Sequence, residues 1–156
     1  MTLIAAAQGV PNATSPLPWL VVSGQPSESQ LASLHAAGAR TVIDLRDAME
    51  PRPFDEPAVT RALGMTYVNA PVVSGALTDA AMERALGALR AATGTPTLLH
   101  CNSANRTGGP LLAFLMLDEK YDEARAVDVA MHSGLRSAEL MEWGVDYARR
   151  ERESAR

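Results

Sequence analysis

The run "RTVIDLR" (Arg40–Arg46) carries Val42, Ile43 and Leu45 between two arginines, with apolar residues at both odd and even positions. A strand with one wet face alternates polar and apolar residues; apolar residues at both parities mean that both faces are covered. Strands of this kind belong to parallel sheets packed under helices on each side. "WLVVSG" (Trp19–Gly24), "MTYVNAPV" (Met65–Val72) and "PTLLHC" (Pro96–Cys101) are three further short strand candidates.

Helical patterns separate these runs. Ser27 and Gln30 form a capping-box signature, Leu31 and Leu34 share one face, and Gly38 stops that helix. A short helix near Pro57–Leu63 ends at Gly64, and Thr78 caps a helix to about Ala92 with Met82, Leu86 and Leu89 on its apolar side. "TGGPLLAFLMLD" is apolar nearly all round and so predicts a buried helix; "YDEARAVDVAMHSG" and "SAELMEWGVDYARRERE" predict two more. His35 sits on the first of these helices in a surface or core-edge role. Strands alternating with helices predict an α/β fold with a mostly parallel central sheet of four or five strands, flanked by helices.

At 156 residues, with 47% hydrophobic and 21% charged residues, the chain suffices for one globular domain and is too short for two ordinary ones. Residues 1–18, with Pro11, Pro16 and Pro18, are expected to form an irregular arm, and residues 19–150 the domain. A net charge of −4 argues against a general affinity for nucleic acid or acidic membranes. A single cysteine allows no internal disulfide, no Cys/His cluster has zinc spacing, and no leader or spanning segment is recognisable. A reducing, cytoplasmic setting is expected, with no metal or organic cofactor.

The chemistry concentrates in "LLHCNSANRTGG" (Leu98–Gly109), where a loop joins the carboxyl end of a buried strand to the start of a buried helix. Open α/β sheets bind ligands at that edge, and a helix start offers unpaired N–H groups to an anion. The same donors stabilise a thiolate on Cys101. Arg106 supplies a planar pair of donors for a tetrahedral oxyanion. Thr107 is placed to donate its hydroxyl to the sulfur, and His100 to orient the loop through its ring nitrogens. Asn102, Ser103, Ala104 and Asn105 complete the expected anion cradle. A lone cysteine beside a strand is also an ordinary core residue; the arginine at the far end of a polar loop favours chemistry.

The "HC…R[ST]G" loop resembles that of cysteine-dependent phosphatases of the protein tyrosine and dual-specificity class. "SGQPSESQLASLHAAGARTVIDLR", "EPRPFDEPA", "LGMTYVNAPV" and "LLHCNSANRTGG" narrow the likeness. Together they resemble the small bacterial phosphatase-like family related to the domain found in beta-lactamase-hydrolase-like proteins. The resemblance spans about residues 19–147 and implies a phosphatase-type fold, Cys101 as nucleophile, Arg106 as oxyanion binder and a phosphoester or phosphoprotein substrate.

Two features depart from the phosphatase signature. That signature has one more residue between Cys and Arg than the four found here, Asn102 to Asn105. Losing one shortens the loop contour by up to ~3.5 Å and removes a donor. The shorter loop matches rhodanese-type sulfurtransferases, in which the cysteine carries a persulfide. The second departure is the general acid, an effect worth about 10²–10⁴-fold. The segment after Pro71 offers only Asp79, which as the residue after Thr78 suits a helix dipole. Asp55 and Glu56 on the proline-rich loop are the alternatives. Arg46, Arg52, Asp44, Asp47 and Glu50 are expected to brace that loop through ion pairs. Three readings therefore stand: a phosphatase-like hydrolase, a sulfurtransferase, and a non-catalytic anion-binding module.

Overall fold

Residues Leu20–Ser23 (β2), Thr41–Asp44 (β3), Thr66–Asn69 (β4) and Thr97–His100 (β5) form the four expected strands in a computed structural model describing residues 1–156. The sheet order is β1-β2-β5-β3-β4, where β1 (Thr14–Leu17) runs antiparallel to β2 and all other pairings are parallel. The fold is the α/β architecture expected, with five strands.

Alternation along each strand sends side chains to two separate cores. Leu20, Val22, Ile43 and Leu99 join the larger one under Asp79–Ala92 (α4), Gly108–Leu117 (α5), Glu123–His132 (α6) and Ala138–Ser154 (α7). Val21, Val42 and Leu98 join the smaller one under Leu3–Ala6 (α1), Glu28–Ala36 (α2) and Glu56–Ala62 (α3). The chain leaves β2 through α2, reaches β3 and β4, and returns through α4 to place β5 between β2 and β3. Because α2 and α4 cover opposite faces, the carboxyl end of β5 is a topological switch point, where such sheets open a crevice.

The first 18 residues are not an irregular arm. Thr2 caps α1, and Thr14 pairs with Val22, giving the otherwise bare edge of β2 a partner. Pro16 is tolerated because β1 is an edge strand, where a missing N–H can face outward. Ala7, Val10 and Leu17 are buried, so the segment is part of the domain, and at the other end α7 continues to Ser154.

The α5 sequence is buried from Gly108 to Met116, as its all-round apolar character predicts. Its close approach to α7 depends on glycine: a Cβ on Gly144 would lie 2.7 Å from the carbonyl oxygen of Gly109. Backbone cannot yield as a flexible side chain can. Gly144→Ala is therefore expected to cost about 1–3 kcal/mol, read as a lowered denaturation midpoint at unchanged slope. An unchanged midpoint would mean the two helices separate freely.

Candidate active site

The parallel register aligns Ser23, His100, Asp44 and Asn69 in one row at the carboxyl edge of the sheet. Cys101 follows directly, buried at 1% exposure. From it the chain turns through Ala104, whose φ of 67° is in the left-handed region, and enters α5 at Gly108. Apart from the isolated antiparallel bridge between Ser103 and Gly24, the backbone N–H groups from Asn102 to Thr107 find no acceptor within the protein. The remaining amides of this run are available to an anion beside the only thiol, at the N-terminus of a ten-residue helix.

Arg106 is half-buried, and its five donors are divided geometrically. Nη1 and Nη2 donate to the two Glu50 oxygens at 2.6 and 2.8 Å, and Nη1 reaches the Val72 carbonyl at 3.4 Å. In a planar guanidinium this leaves the Nε and second Nη2 hydrogens, a two-donor edge suited to an oxyanion. The Glu50 carboxylate and, against desolvation, the adjacent Cys101 sulfur hold this guanidinium above its ordinary value. Glu50 in turn is held below the usual carboxylate range by Arg106. Glu50 does brace the proline-rich loop through an ion pair, as expected, and the partner it finds is Arg106.

Thr107 does not serve the sulfur. Its hydroxyl has one proton and gives it to the Ala104 carbonyl at 3.0 Å, closing the turn at positive φ. Asn105 and Ser103 point their side chains at Arg136: Asn105 Oδ1 accepts from the Arg136 amide at 2.9 Å and Ser103 Oγ from its Nη2 at 2.8 Å. Asn12, from the N-terminal segment, donates to the Ser103 carbonyl at 3.1 Å. Asn102 accepts from the Gln25 amide through its carbonyl oxygen. The cradle residues therefore hold the loop with side chains and carbonyls while leaving most of its amides unpaired. Gly134 closes the back of the loop: a Cβ there would lie 2.9 Å from the Ala104 Cβ.

Asp55 is exposed and caps α3, accepting from the Ala58 amide at 3.2 Å, so its carboxylate has a structural use the sequence pattern did not suggest. Asp79 pairs with both Nη atoms of Arg150, which keeps it below the usual carboxylate range and makes it a poor proton donor. Glu56, the other alternative, is fully buried behind the loop, with its Oε2 2.6 Å from His100 Nε2. On its other side the His100 ring reaches the loop, with Nδ1 3.1 Å from the Cys101 carbonyl oxygen.

Behind His100 lies a buried ionic network. Arg46, 2% exposed, donates to both Asp44 oxygens at 3.0 and 2.7 Å and to Glu56 Oε1 at 3.3 Å. Tyr67 donates to Asp44 Oδ2 at 2.6 Å, and Arg52 stands 3.7 Å from the same oxygen. Burial pushes the Asp44 carboxyl up, but Arg46, His100 and Tyr67 outweigh it and hold it at about 2. Burial and the Asp44 carboxylate push Tyr67 up to about 12, so it remains a donor. Ligand atoms of Asp44, Glu56 and His100 lie within 4.8 Å of one another. Arg46, bonded to both carboxylates, already fills the place of a counter-cation.

Sequence reasoning located Cys101, Arg106 and His100 but missed the partners that hold them. The arginine pairing of Glu50 and the packing of Gly134 and Arg136 against Ala104 and Ser103 span 29 residues or more of chain and have no local signature. No helix is long and apolar enough to cross a membrane.

Solved structures share this architecture. A candidate phosphatase from Shewanella putrefaciens CN-32 superposes with a TM-score of 0.78 at 23% identity, covering 94% of this chain and 97% of that one. Tk-PTP in its active form gives 0.71 at 19% identity, covering 90% and 98%. TpbA of P. aeruginosa in complex with phosphotyrosine gives 0.66 at 22% identity, covering 92% and 90%. In sequence, a beta-lactamase hydrolase-like protein of Xylella fastidiosa is 33% identical over 91 residues, which is 56% of this chain but 21% of that protein. This chain therefore corresponds to a fraction of its relative's length. Residues 16–114 match the model of the phosphatase-like domain of beta-lactamase hydrolase-like protein, from the edge strand through the Cys101 loop into α5. That match covers most of the domain and all of its anion loop, and by it the chain belongs to the phosphatase-like domain family of beta-lactamase hydrolase-like proteins.

Proposed function

We propose that the chain is a cysteine-dependent phosphatase acting on a phosphoester through a phosphocysteine intermediate on Cys101. The observation that carries this reading is the run of loop amides from Asn102 to Thr107, bridged within the protein only at Ser103 and closed by the Nε–Nη2 edge of Arg106. The Cys101 thiolate attacks phosphorus, the S–P bond forms, and the bond to the leaving oxygen breaks. Nε and Nη2 of Arg106 and the loop amides take the charge spread over the non-bridging oxygens. Water then cleaves the S–P bond, releasing phosphate and restoring the thiol. The substrate is a small phosphoester or a phosphoprotein.

The test is hydrolysis of an aryl phosphate, whose phenolate departs without help from a general acid, run beside thiosulfate with cyanide as acceptor. Phosphate release without thiocyanate is the expected result. Thiocyanate without phosphate would make the loop a persulfide carrier, and neither product would leave an anion-binding module.

Glu50→Gln should lower kcat/KM, because the amide presents one acceptor where Arg106 had two. Misplacing a charge-stabilising group by about 1 Å costs up to roughly 100-fold. A variant with the wild-type melting temperature and undiminished kcat/KM would remove Glu50 from the machinery.

A further inference from the structure

His100 is fully buried, and both of its ring nitrogens face atoms that only accept. Nδ1 lies 3.1 Å from the Cys101 carbonyl oxygen, and Nε2 lies 2.6 Å from Glu56 Oε2. A neutral imidazole has one N–H and one bare nitrogen. Beside an ionised Glu56 it would therefore set a lone pair against an oxygen lone pair on one side, in a site closed to water. The contact is relieved only if the pair holds one more proton. Glu56 Oε1 accepts from Gln25 Nε2 at 2.8 Å and from Arg46, and both donors favour the carboxylate over the acid. The extra proton then belongs on the imidazole.

We propose that Glu56 is a positioning residue of the Cys101 loop, which keeps His100 as an imidazolium whose Nδ1–H pins the carbonyl of the nucleophile from behind. This rests on the phosphatase reading only for its consequence in catalysis; the proton count stands on the hydrogen bonds alone. The surroundings accommodate the charge. Asp44 Oδ1 from β3 lies 3.9 Å from Nε2, so two carboxylates face the ring. Arg46 follows β3 and bonds both carboxylates, while Arg52 and Tyr67, from the proline-rich loop and β4, face Asp44 on its far side. Among the fully enclosed groups, Asp44 and Glu56 balance Arg46 and an imidazolium; a neutral ring would leave a net buried negative charge. The positive ring precedes Cys101 in the chain and adds to the field that favours its thiolate.

The experiment uses the whole chain labelled with ¹⁵N-histidine. Near neutral pH, where a free imidazole is largely neutral, the His100 nitrogens should both carry protons. Glu56→Gln keeps the side-chain size, but its amide NH₂ can donate to Nε2. The His100 spectrum should then show one protonated and one bare nitrogen, and with the ring charge beside Cys101 removed the rate of its alkylation by iodoacetamide at about pH 6.5 should fall at least threefold. Wild-type spectra with one bare His100 nitrogen would overturn the proposal without need of any variant. A folded Glu56→Gln protein with unchanged alkylation would overturn the link to Cys101. Neither readout involves phosphate ester turnover, so an inactive protein with a doubly protonated His100 would refute the phosphatase reading and leave this one standing.

Discussion

Cys101→Ser should abolish aryl phosphate hydrolysis, lowering kcat by at least about 10⁴-fold, the scale seen when a covalent nucleophile is removed. Serine keeps nearly the same volume at a buried position, so the loop and its amides persist. What is lost is the proposed nucleophile, because a serine hydroxyl ionises far more weakly than a thiol and is the poorer nucleophile near neutral pH. Binding of inorganic phosphate, read as a rise in melting temperature with added phosphate, should therefore survive the substitution while turnover does not. That pairing separates loss of chemistry from loss of the site. Residual hydrolysis near the wild-type rate in a purified Cys101→Ser protein would eliminate the phosphocysteine intermediate.

Asp44→Asn should cost about 3–5 kcal/mol, the range for removing one partner of a buried ion pair. The amide matches the carboxylate in shape but can accept at only one of its two ends. Arg46 Nη2 and Tyr67 Oη both aim at Oδ2, where a swapped-in NH₂ would meet donors. As an ion pair Arg46 would keep only its 3.3 Å contact to Glu56, and at 2% exposure it cannot recover its hydration. Chemical denaturation at neutral pH measures the loss. The wild-type pH dependence supplies an independent check. The Asp44 carboxyl is held at about 2 in the folded protein against 3.8 ordinarily, so its stabilising contribution is fully present above pH 3.8 and disappears as pH falls towards 2. Linkage puts this contribution at about 2 kcal/mol. Asp44→Asn should flatten the stability curve across that window. A variant as stable as wild type, with the same acid slope, would show that the network is not under strain from its charges.

The network also explains why the site sits where it does. Asp44 ends β3, His100 ends β5, and the parallel register brings them side by side at the sheet edge. Glu56 enters from α3 on the smaller core's face, whereas the Cys101 loop continues into α5 on the larger core's face. His100 thus connects the two sides of the sheet at the switch point. From α3, Glu56 is two hydrogen-bond contacts from the Cys101 carbonyl, by way of His100.

What the amino-acid sequence determined by itself was whatever depends on near neighbours in the chain. Apolar residues at both parities in β3, the Ser27–Gln30 capping box, Thr78 before α4 and the all-apolar α5 each follow from local periodicity or capping, and the structure reproduces them. Cys101, His100 and Arg106 were legible for the same reason, because the seven residues from the end of β5 to Arg106 contain them. Tertiary structure alone decided the rest. The first 18 residues read as irregular from their prolines, yet they pair with β2 because an edge strand satisfies backbone groups that no local pattern reveals. Thr107 adjoins the loop as expected, but a single hydroxyl proton serves one acceptor, and the Ala104 carbonyl is the one the turn presents. Asp55 and Glu56 are neighbours with the same charge. Helix geometry turns one into an exposed cap and the other into the buried partner of His100, 44 residues away. Long-range hydrogen bonds depend on where the sheet places distant residues, and in this protein that placement separates a carboxylate capping a helix from one buried against the histidine that precedes Cys101.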